Sequence, residues 1–191
     1  MKNILLINGS LGSENGNTAF LINQIKNILA PNEQLQLSVI HLADSHSIDW
    51  NKALNAADGF IFTTGTYWDS WGSPLQKFLE DCTAFEGSNL LFNKPASVIV
   101  SMHSVGGKGV LSRLQGVLNT QGLMIPPMSG MVFALSTMLA ERVTSTFHDD
   151  FWNIDDLQIV VHNLATAVLK KDDYLCWPMD KKDPKRKWIN E

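Results

Sequence analysis

The chain has 191 residues, a usual length for one domain, and it is long enough to bury roughly 70% of its unfolded surface. Hydrophobic residues make up 45% of it and charged residues 18%, so the composition is that of a globular protein and not of a disordered one. The net charge of -4 argues against nucleic acid as the main partner. The two cysteines, Cys82 and Cys176, form neither a disulfide framework nor a zinc ligand set, and they indicate buried thiols in a reducing, cytoplasmic compartment.

No stretch of the sequence predicts a membrane anchor. The first apolar run ends at Asn8, too early for the core of a signal peptide. The segment 114–140 has no charged residue, but it is interrupted by glycines, by Asn119 and Gln121, and by two prolines at 126 and 127. We therefore expect a helix end, a buried strand and a loop there, and no membrane helix.

Short apolar runs alternate with helical patterns along the chain. The apolar runs predict strands over 3–8, 35–42, 59–64 and 96–102, and a fifth strand beginning in 122–127. Apolar residues at helical spacing predict helices over 17–29, 74–82, 109–121 and 154–169. This alternation is typical of βαβ units, whose right-handed crossovers give a parallel sheet with helices on both faces.

Five strands favour the flavodoxin-like arrangement over the longer dinucleotide-binding one. We therefore predict a single α/β domain over residues 1–191, with strand order 2-1-3-4-5 and a charged tail from about residue 171. In such sheets ligands bind beyond the carboxyl ends of the strands, near the switch in strand order. The loops 9–18, 64–73 and 103–109 are therefore the candidate binding loops.

The loop after the first predicted strand reads GSLGSENGNT (9–18). Its glycines permit tight turns, its Ser, Asn and Thr residues offer short polar side chains, and the following helix start adds free amides. Together these features are typical of an anion site, and a phosphate is its natural ligand. Asn17 stands where a Walker loop needs lysine, so the loop is not of that type. The alternative is a simple helix N-cap.

The segment GTYWDSWGSPLQKFLED (65–81) carries three aromatic residues on a small-residue loop. Tyr67 and Trp68 would leave the third strand beside the first loop, where flat side chains can stack on a heteroaromatic ring. Trp71 also fits a place in the core or in a subunit interface. Aromatics beside a phosphate loop therefore favour a ligand that has both a ring and a phosphate.

These two segments resemble those of the flavodoxin-like NAD(P)H-dependent FMN reductases and quinone reductases. The similarity covers the order of elements over residues 1 to about 130, and the aromatic segment is its more specific part. The resemblance implies FMN as cofactor, NADPH or NADH as co-substrate, and transfer of two electrons to a quinone or a similar small acceptor. It also implies a homodimer or homotetramer that needs neither a membrane nor a nucleic acid.

The resemblance assigns roles to residues of all three loops. The FMN phosphate would be held by residues of the first loop, namely Ser10, Asn15, Gly16, Asn17 and Thr18. The isoalloxazine would be lined by residues of the second loop, namely Thr66, Tyr67, Trp68, Asp69 and Ser70. The third loop, HSVGGKG, would flank the pyrimidine end of the ring with His103, Gly106 and Gly107. Because the cofactor carries the chemistry, the catalytic work expected of Tyr67, Trp68 and His103 is to orient the rings and exclude water.

The sequence departs from the family pattern at several positions. Gly65 replaces the usual proline, Asp69 the usual glycine and Gln76 the usual lysine, and the first loop lacks its common basic residue. A carboxylate at Asp69 would disfavour a negatively charged reduced ring beside it. Two alternatives therefore stay open: an FMN-binding electron carrier without a nicotinamide site, and a flavin-free binding module on the same fold.

The remaining candidates carry simpler interpretations. His41, His46 and the run 148–150 match no metal-ligand spacing, so we predict no metal site. Lys108 is expected to be a solvated lysine. Four methionines after the predicted helix 109–121 indicate a core or a dimer interface, with a substrate wall as the alternative: Met124, Met128, Met131 and Met138. Trp177 and Trp188 indicate that part of the tail packs on the body or on a neighbouring subunit.

Overall fold

A parallel five-stranded sheet forms the centre of the protein. The computed structural model describes residues 1–45, 47–140 and 152–170. The strands, in chain order, are β1 (Lys2–Asn8), β2 (Leu35–His41), β3 (Gly59–Gly65), β4 (Ala96–Met102) and β5 (Gly130–Ala134). They are arranged in the order β2-β1-β3-β4-β5, and all four pairings are parallel. The predicted fold class and strand order are therefore confirmed.

Helices cover both faces of this sheet. They are α1 (Asn17–Leu29), α2 (Trp50–Asn55), α3 (Ser73–Asp81), α4 (Gly107–Thr120), α5 (Leu135–Ala140) and α6 (Asp156–Leu169). Alternate strand residues point to opposite faces and enter two separate apolar clusters. Leu5, Phe60 and Val98 belong to the cluster packed by α2, α3 and α4. Ile61 and Ile99 belong to the cluster packed by α1 and α6.

The start of β5 and two short helices differ from the expectations. The fifth strand was expected to begin in 122–127, but β5 begins only at Gly130. In the earlier segment Met124 makes an isolated bridge with Pro95, and the prolines that follow have no amide to continue a ladder. The buried hydroxyl of Ser129 donates to the carbonyl of Pro126 at 2.6 Å and closes the turn into β5. The short helices α2 and α5 were also not predicted.

An ion pair joins the start of β1 to the start of β3. The Lys2 ammonium lies 2.8 Å from a carboxylate oxygen of Asp58, and the amide of Asn3 donates to the other oxygen at 2.9 Å. Partial burial raises the pKa of Asp58, but these two hydrogen bonds and the charges of Lys2 and Lys94 outweigh it and hold that pKa below its usual value. The pair therefore favours the folded state most where Asp58 is ionised.

Among the described residues, no helix is long and apolar enough to cross a membrane.

Candidate functional site

A cavity of about 590 Å³ opens at the carboxyl edge of the sheet. It lies among the loops that follow β1, β3 and β4, and the start of α1, the end of β5 and α5 also line it. The sheet order puts the switch point beside β1 and β3, where a ligand is expected in this fold. The three predicted binding loops therefore meet at one site.

Asn8, the last residue of β1, organises the first loop. Its side chain is fully buried, and its Oδ1 accepts hydrogen bonds from the amide of Ser10 and the hydroxyls of Thr18 and Thr63 at 3.1–3.3 Å. Its Nδ2 donates to the carbonyl of Ser13 at 3.1 Å and contacts Nδ1 of His41 at 3.0 Å. Each half of the amide thus has partners, and the loop is fixed from beneath.

The loop folds back tightly before α1 begins. A Cβ on Gly12 would lie 2.6 Å from the Cα of Gly16, so a side chain at Gly12 would force the loop open. Ser13 has a left-handed backbone (φ 48°), and its hydroxyl donates to the carboxylate of Asp44. Gly16 is the N-cap residue of α1 and supplies no capping side chain. Ala19 donates its amide hydrogen to the carbonyl of Gly16 at 2.9 Å, while the two amides before it lack an acceptor within the helix, which is the property of an anion site.

Tyr67 joins the second loop to the first. Its phenol oxygen lies 3.1 Å from Oγ of Ser10 and accepts the amide hydrogen of Leu11 at 3.0 Å. Its ring lies against Gly65, where a Cβ would be 3.1 Å from three of its atoms. At Gly72 a Cβ would clash with the carbonyl oxygen of Gly9. Gly65 and Gly72 thus let the two loops approach each other, and Tyr67 locks them together.

Residues 67–70 form a tight turn with unusual backbone angles. The amide and carbonyl of Tyr67 exchange hydrogen bonds with those of Ser70, at 2.8 and 3.0 Å. Trp68 (φ 48°) and Asp69 (φ 55°) lie between them, both in the left-handed region. That pattern is a type I′ turn, which normally takes Asn or Gly at these positions. Trp68 is fully exposed, at 102%, so its indole has no packing within the described chain.

Asp69 is directed toward the start of α4 and does not line the cavity. Its Oδ1 occupies the space that a Cβ of Gly106 would take, and Gly106 is the N-cap of α4 with φ 85°. The guanidinium of Arg113, on α4, donates to the main-chain oxygen of Asp69 and lies 5.6 Å from the ring of Trp71. A carboxylate at a helix N-terminus is favoured by the helix dipole.

The third loop contributes His103 and the start of α4. The His103 side chain is exposed and lines the cavity, and its carbonyl accepts the amide of Ser136 at 3.0 Å. Gly107 is buried and donates its amide to the sulfur of Met102 at 3.3 Å. Lys108 is exposed, as expected, with its ammonium 4.8 Å from the ring of Trp152.

The structure divides the predicted site residues into two groups. Seven of them line the cavity: Ser10, Asn15, Gly16, Asn17, Thr66, Tyr67 and His103. Six lie next to it without lining it: Thr18, whose hydroxyl is buried on Asn8, and Trp68, Asp69, Ser70, Gly106 and Gly107. Their roles toward a ligand remain predictions.

Sequence reasoning missed several residues that shape the cavity. Asn8 is one of them, and the sequence signal was a polar residue at the end of a buried strand, where the first binding loop begins. Phe20 and Phe133 form a tilted aromatic pair across the cavity wall, with ring centroids 5.9 Å apart. Ser101 lies on the floor between them and Gly65. Of the methionine cluster, Met138 lines the cavity while Met131 is buried in the core.

The other candidates have structural surroundings of their own. His41 is half-buried against Asn8, and the described residues contain no group of three or more His, Cys, Asp or Glu side chains placed to hold a metal ion. Burial, reinforced by the nearby charge of Asp81, raises the pKa of the Cys82 thiol to about 12. Trp71 packs against the core cluster and donates to Gln76 at 2.8 Å. His46, 148–150, Cys176, Trp177 and Trp188 lie outside the described residues.

The sequence profile of a known family, the NADPH-dependent FMN reductases, matches residues 2–139. The chain belongs to this family. Membership confirms the predicted resemblance, and with it FMN as the cofactor and a nicotinamide nucleotide as the co-substrate.

Solved structures extend the likeness over almost the whole chain. RosB, solved with a bound riboflavin 5′-phosphate derivative, is 14% identical and matches with a TM-score of 0.70, over 99% of this chain and 95% of its own. The apo form of EmoB, an NADH:FMN oxidoreductase, is 20% identical over 91% and 92% (TM-score 0.65). A WrbA-like flavodoxin from Agrobacterium tumefaciens is 18% identical over 90% and 100% (TM-score 0.62). These similarities confirm the flavodoxin-like fold. No curated protein matches the chain in sequence.

The residues present fit the FMN of this reductase family. The tightly folded loop with its helix start supplies neutral donors for a phosphate, and none of the cavity's lining residues in the described chain is an acid that would repel it. Thr66 continues the pairing of β3 with β4 by donating its amide hydrogen to the carbonyl oxygen of Ser101 at 2.9 Å, so this edge of the cavity is fixed by the sheet. The volume also lies within the range of about 300–1,000 Å³ for ligand pockets.

Proposed function

We propose that the protein is an FMN-dependent NAD(P)H oxidoreductase that passes two electrons to a quinone or a similar electrophilic acceptor. The observation that carries the proposal is that the phosphate-type loop, Tyr67 and His103 meet at one cavity, in a chain of the FMN reductase family. Overall, NAD(P)H gives a hydride and solvent gives one proton, and the quinone becomes a hydroquinone. Bound FMN supplies the hydride and electron transfer chemistry.

The chain's own residues are assigned binding and positioning roles. Ser10, Asn15, Gly16 and Asn17 hold the phosphate with hydroxyl, amide and main-chain groups, because they line the cavity beside the start of α1. Asn8 holds that loop in place by accepting the amide hydrogen of Ser10, and the buried hydroxyl of Thr18 donates to the same side-chain oxygen. Neutral donors hold the phosphate without a cation, so we expect an affinity that depends on the order of the loop.

Tyr67 and His103 are the proposed positioning groups for the ring. Tyr67 presents its ring to the cavity while its hydroxyl is held by the first loop, and His103 presents an imidazole from the opposite loop. Trp68 remains a proposed outer wall of the ring site. Asp69 is directed toward Gly106 and is not among the cavity-lining residues, which supports the proposal that the flavin ring does not contact its carboxylate directly.

We also propose that two or four chains associate around this edge. Apolar side chains next to the cavity are exposed in the single chain: Leu11 (52%), Trp68 (102%), Val105 (72%) and Leu139 (49%). Such a concentration of exposed apolar groups is typical of an interface. Sedimentation analysis should give a mass of about 42 kDa or a further multiple of the 21.2 kDa chain, and a monomer at micromolar concentration would contradict this proposal.

The proposed activity is tested with purified, flavin-free protein. FMN is titrated while tryptophan fluorescence and the visible flavin band are followed, and NADPH or NADH is then added without oxygen. Saturable quenching followed by bleaching of the flavin band, and by reoxidation on addition of a quinone, is the expected result. Binding without bleaching by either nucleotide would instead indicate an electron carrier. No binding of FMN or FAD would refute the flavin proposal and leave a binding module.

A further inference from the structure

The cavity has a second wall that the flavin proposal does not use. The polar side consists of the strand-end loops described above. The opposite side is apolar and consists of Phe20 from α1, Phe133 from β5, and Leu135 and Met138 from α5. Among the described residues that line the cavity, none is Asp, Glu, Lys or Arg. One half of the site is therefore suited to an uncharged, apolar ligand.

Phe20 is the least expected member of this wall. The residues of α1 that face the core are Leu21, Ile22, Ile25 and Leu29, and Phe20 lies off that face with 46% of its surface exposed. Its ring lies 5.9 Å from that of Phe133 with an interplanar angle of 39°, so the two rings make a joint aromatic surface. Covering such a surface with a ligand removes apolar area from water, which favours binding.

A small residue, Ser101, lies next to this pair in the sheet. Gly65, Ser101 and Phe133 are register partners across β3, β4 and β5, so their positions form one row on one face of the sheet. The Tyr67 ring covers Gly65, so the small residue Ser101 separates that ring from Phe133 in this row. Met138 also lines the cavity, with a flexible, polarisable side chain that adapts to ligands of different outline.

We infer that Phe20, Phe133 and Met138 form the binding subsite for the electron acceptor, and that this acceptor is an uncharged planar ring such as a one- or two-ring quinone. The inference rests on the proposed function, because it takes the polar wall to be occupied by the flavin. A charged acceptor would lose its hydration on this wall without gaining an ionic partner from the described lining. The acceptor ring would thus lie in the same cavity as the flavin.

The test compares Phe20→Ala with wild-type protein, both loaded with FMN. Equilibrium binding of menadione is measured by calorimetry with the flavin oxidised and no nicotinamide present. Steady-state KM and kcat are then measured with menadione and with ferricyanide, a charged one-electron acceptor. Because Phe20 is half-exposed, its replacement should leave the fold intact. Ile159→Ala is the matched control, since Ile159 is an apolar residue of α6 that is exposed to a similar extent (48%) and does not line the cavity.

We expect Phe20→Ala to weaken menadione binding about three- to tenfold, the loss of one aromatic contact, and to raise its KM in parallel. The FMN dissociation constant, the kcat and the ferricyanide kinetics should change less than twofold, and Ile159→Ala should change nothing. An unchanged menadione affinity would overturn the inference. An equal loss of FMN affinity would also overturn it, because the wall would then hold the flavin, although the proposed reductase function would stand. Wild-type protein that binds no FMN would refute both.

Discussion

Replacing Tyr67 by Phe should weaken FMN binding through the order of the first loop and not through loss of stacking. The ring stays in place, while two hydrogen bonds of the hydroxyl are lost, to Oγ of Ser10 at 3.1 Å and from the amide of Leu11 at 3.0 Å. Each is worth about 0.5–1.5 kcal/mol net. Leu11 is exposed, so water replaces that bond cheaply, whereas Ser10 is 3% exposed and its hydroxyl loses a partner in a nearly closed position. We estimate a total of about 1–2 kcal/mol.

In the Tyr67→Phe variant, this free energy is the additional cost of ordering the first loop when a phosphate binds. It corresponds to a loss of roughly 5- to 30-fold in FMN affinity, measured by quenching of flavin fluorescence. Riboflavin lacks the phosphate, so its dissociation constant should change less than twofold. Trp71→Phe is the matched control, because it removes an exposed hydrogen bond to Gln76 at 2.8 Å on the same segment but outside the first loop. Equal losses for FMN and riboflavin would refute the reasoning.

Three further predictions concern the scaffold. Asp58→Asn should lower the free energy of unfolding by about 1 kcal/mol at pH 7, measured by urea titration. Since the folded-state pKa of Asp58 is depressed, this difference should be present above pH 3.8 and should vanish as the pH falls below it. A difference in unfolding free energy that persists in acid would contradict the assignment. Gly72→Ala should cost more than about 2 kcal/mol because its Cβ meets the carbonyl oxygen of Gly9, whereas Gly116→Ala, in α4 with open space, should stabilise by about 0.5–1 kcal/mol; equal signs in thermal melts would refute the comparison. In a Cys176→Ser background, folded protein should resist iodoacetamide at pH 8, because burial raises the pKa of the Cys82 thiol to about 12, and labelling should require urea.

The strands could be read from the sequence because each one is a continuous apolar run. β4 was predicted with its observed bounds, Ala96–Met102, since both of its faces are buried and few other structures suit such a run. β5 was placed too early because Met124 and its neighbours are as apolar as a strand, and only the prolines that follow end the ladder. The helix α2 has six residues, too few for a periodic pattern to identify.

The sequence predicted which loops form the candidate site, but not the contacts between their residues. The fold rule brings the three loops to one edge, and that required only the strand order. The bond between Tyr67 and Ser10 joins residues 57 positions apart, and no local pattern encodes it. Asn8 looked like the end of a strand, although its amide supports the whole first loop. Phe20 and Phe133 were not recognised because each alone is an ordinary apolar residue of a helix or a strand.

The turn at Trp68 combines a strained backbone conformation with a fully exposed indole. A left-handed tryptophan costs roughly 1 kcal/mol or more of backbone strain, and a fully exposed indole returns no packing to offset it. The strain is nevertheless held in place by the paired bonds of Tyr67 and Ser70, and by Arg113 on the carbonyl of Asp69. A turn fixed in this way loses little conformational entropy when its indole is covered by a ligand or a second chain. Strain that is the same in the free and the bound protein does not change the affinity, so what the fixed turn contributes to binding is this smaller entropy loss.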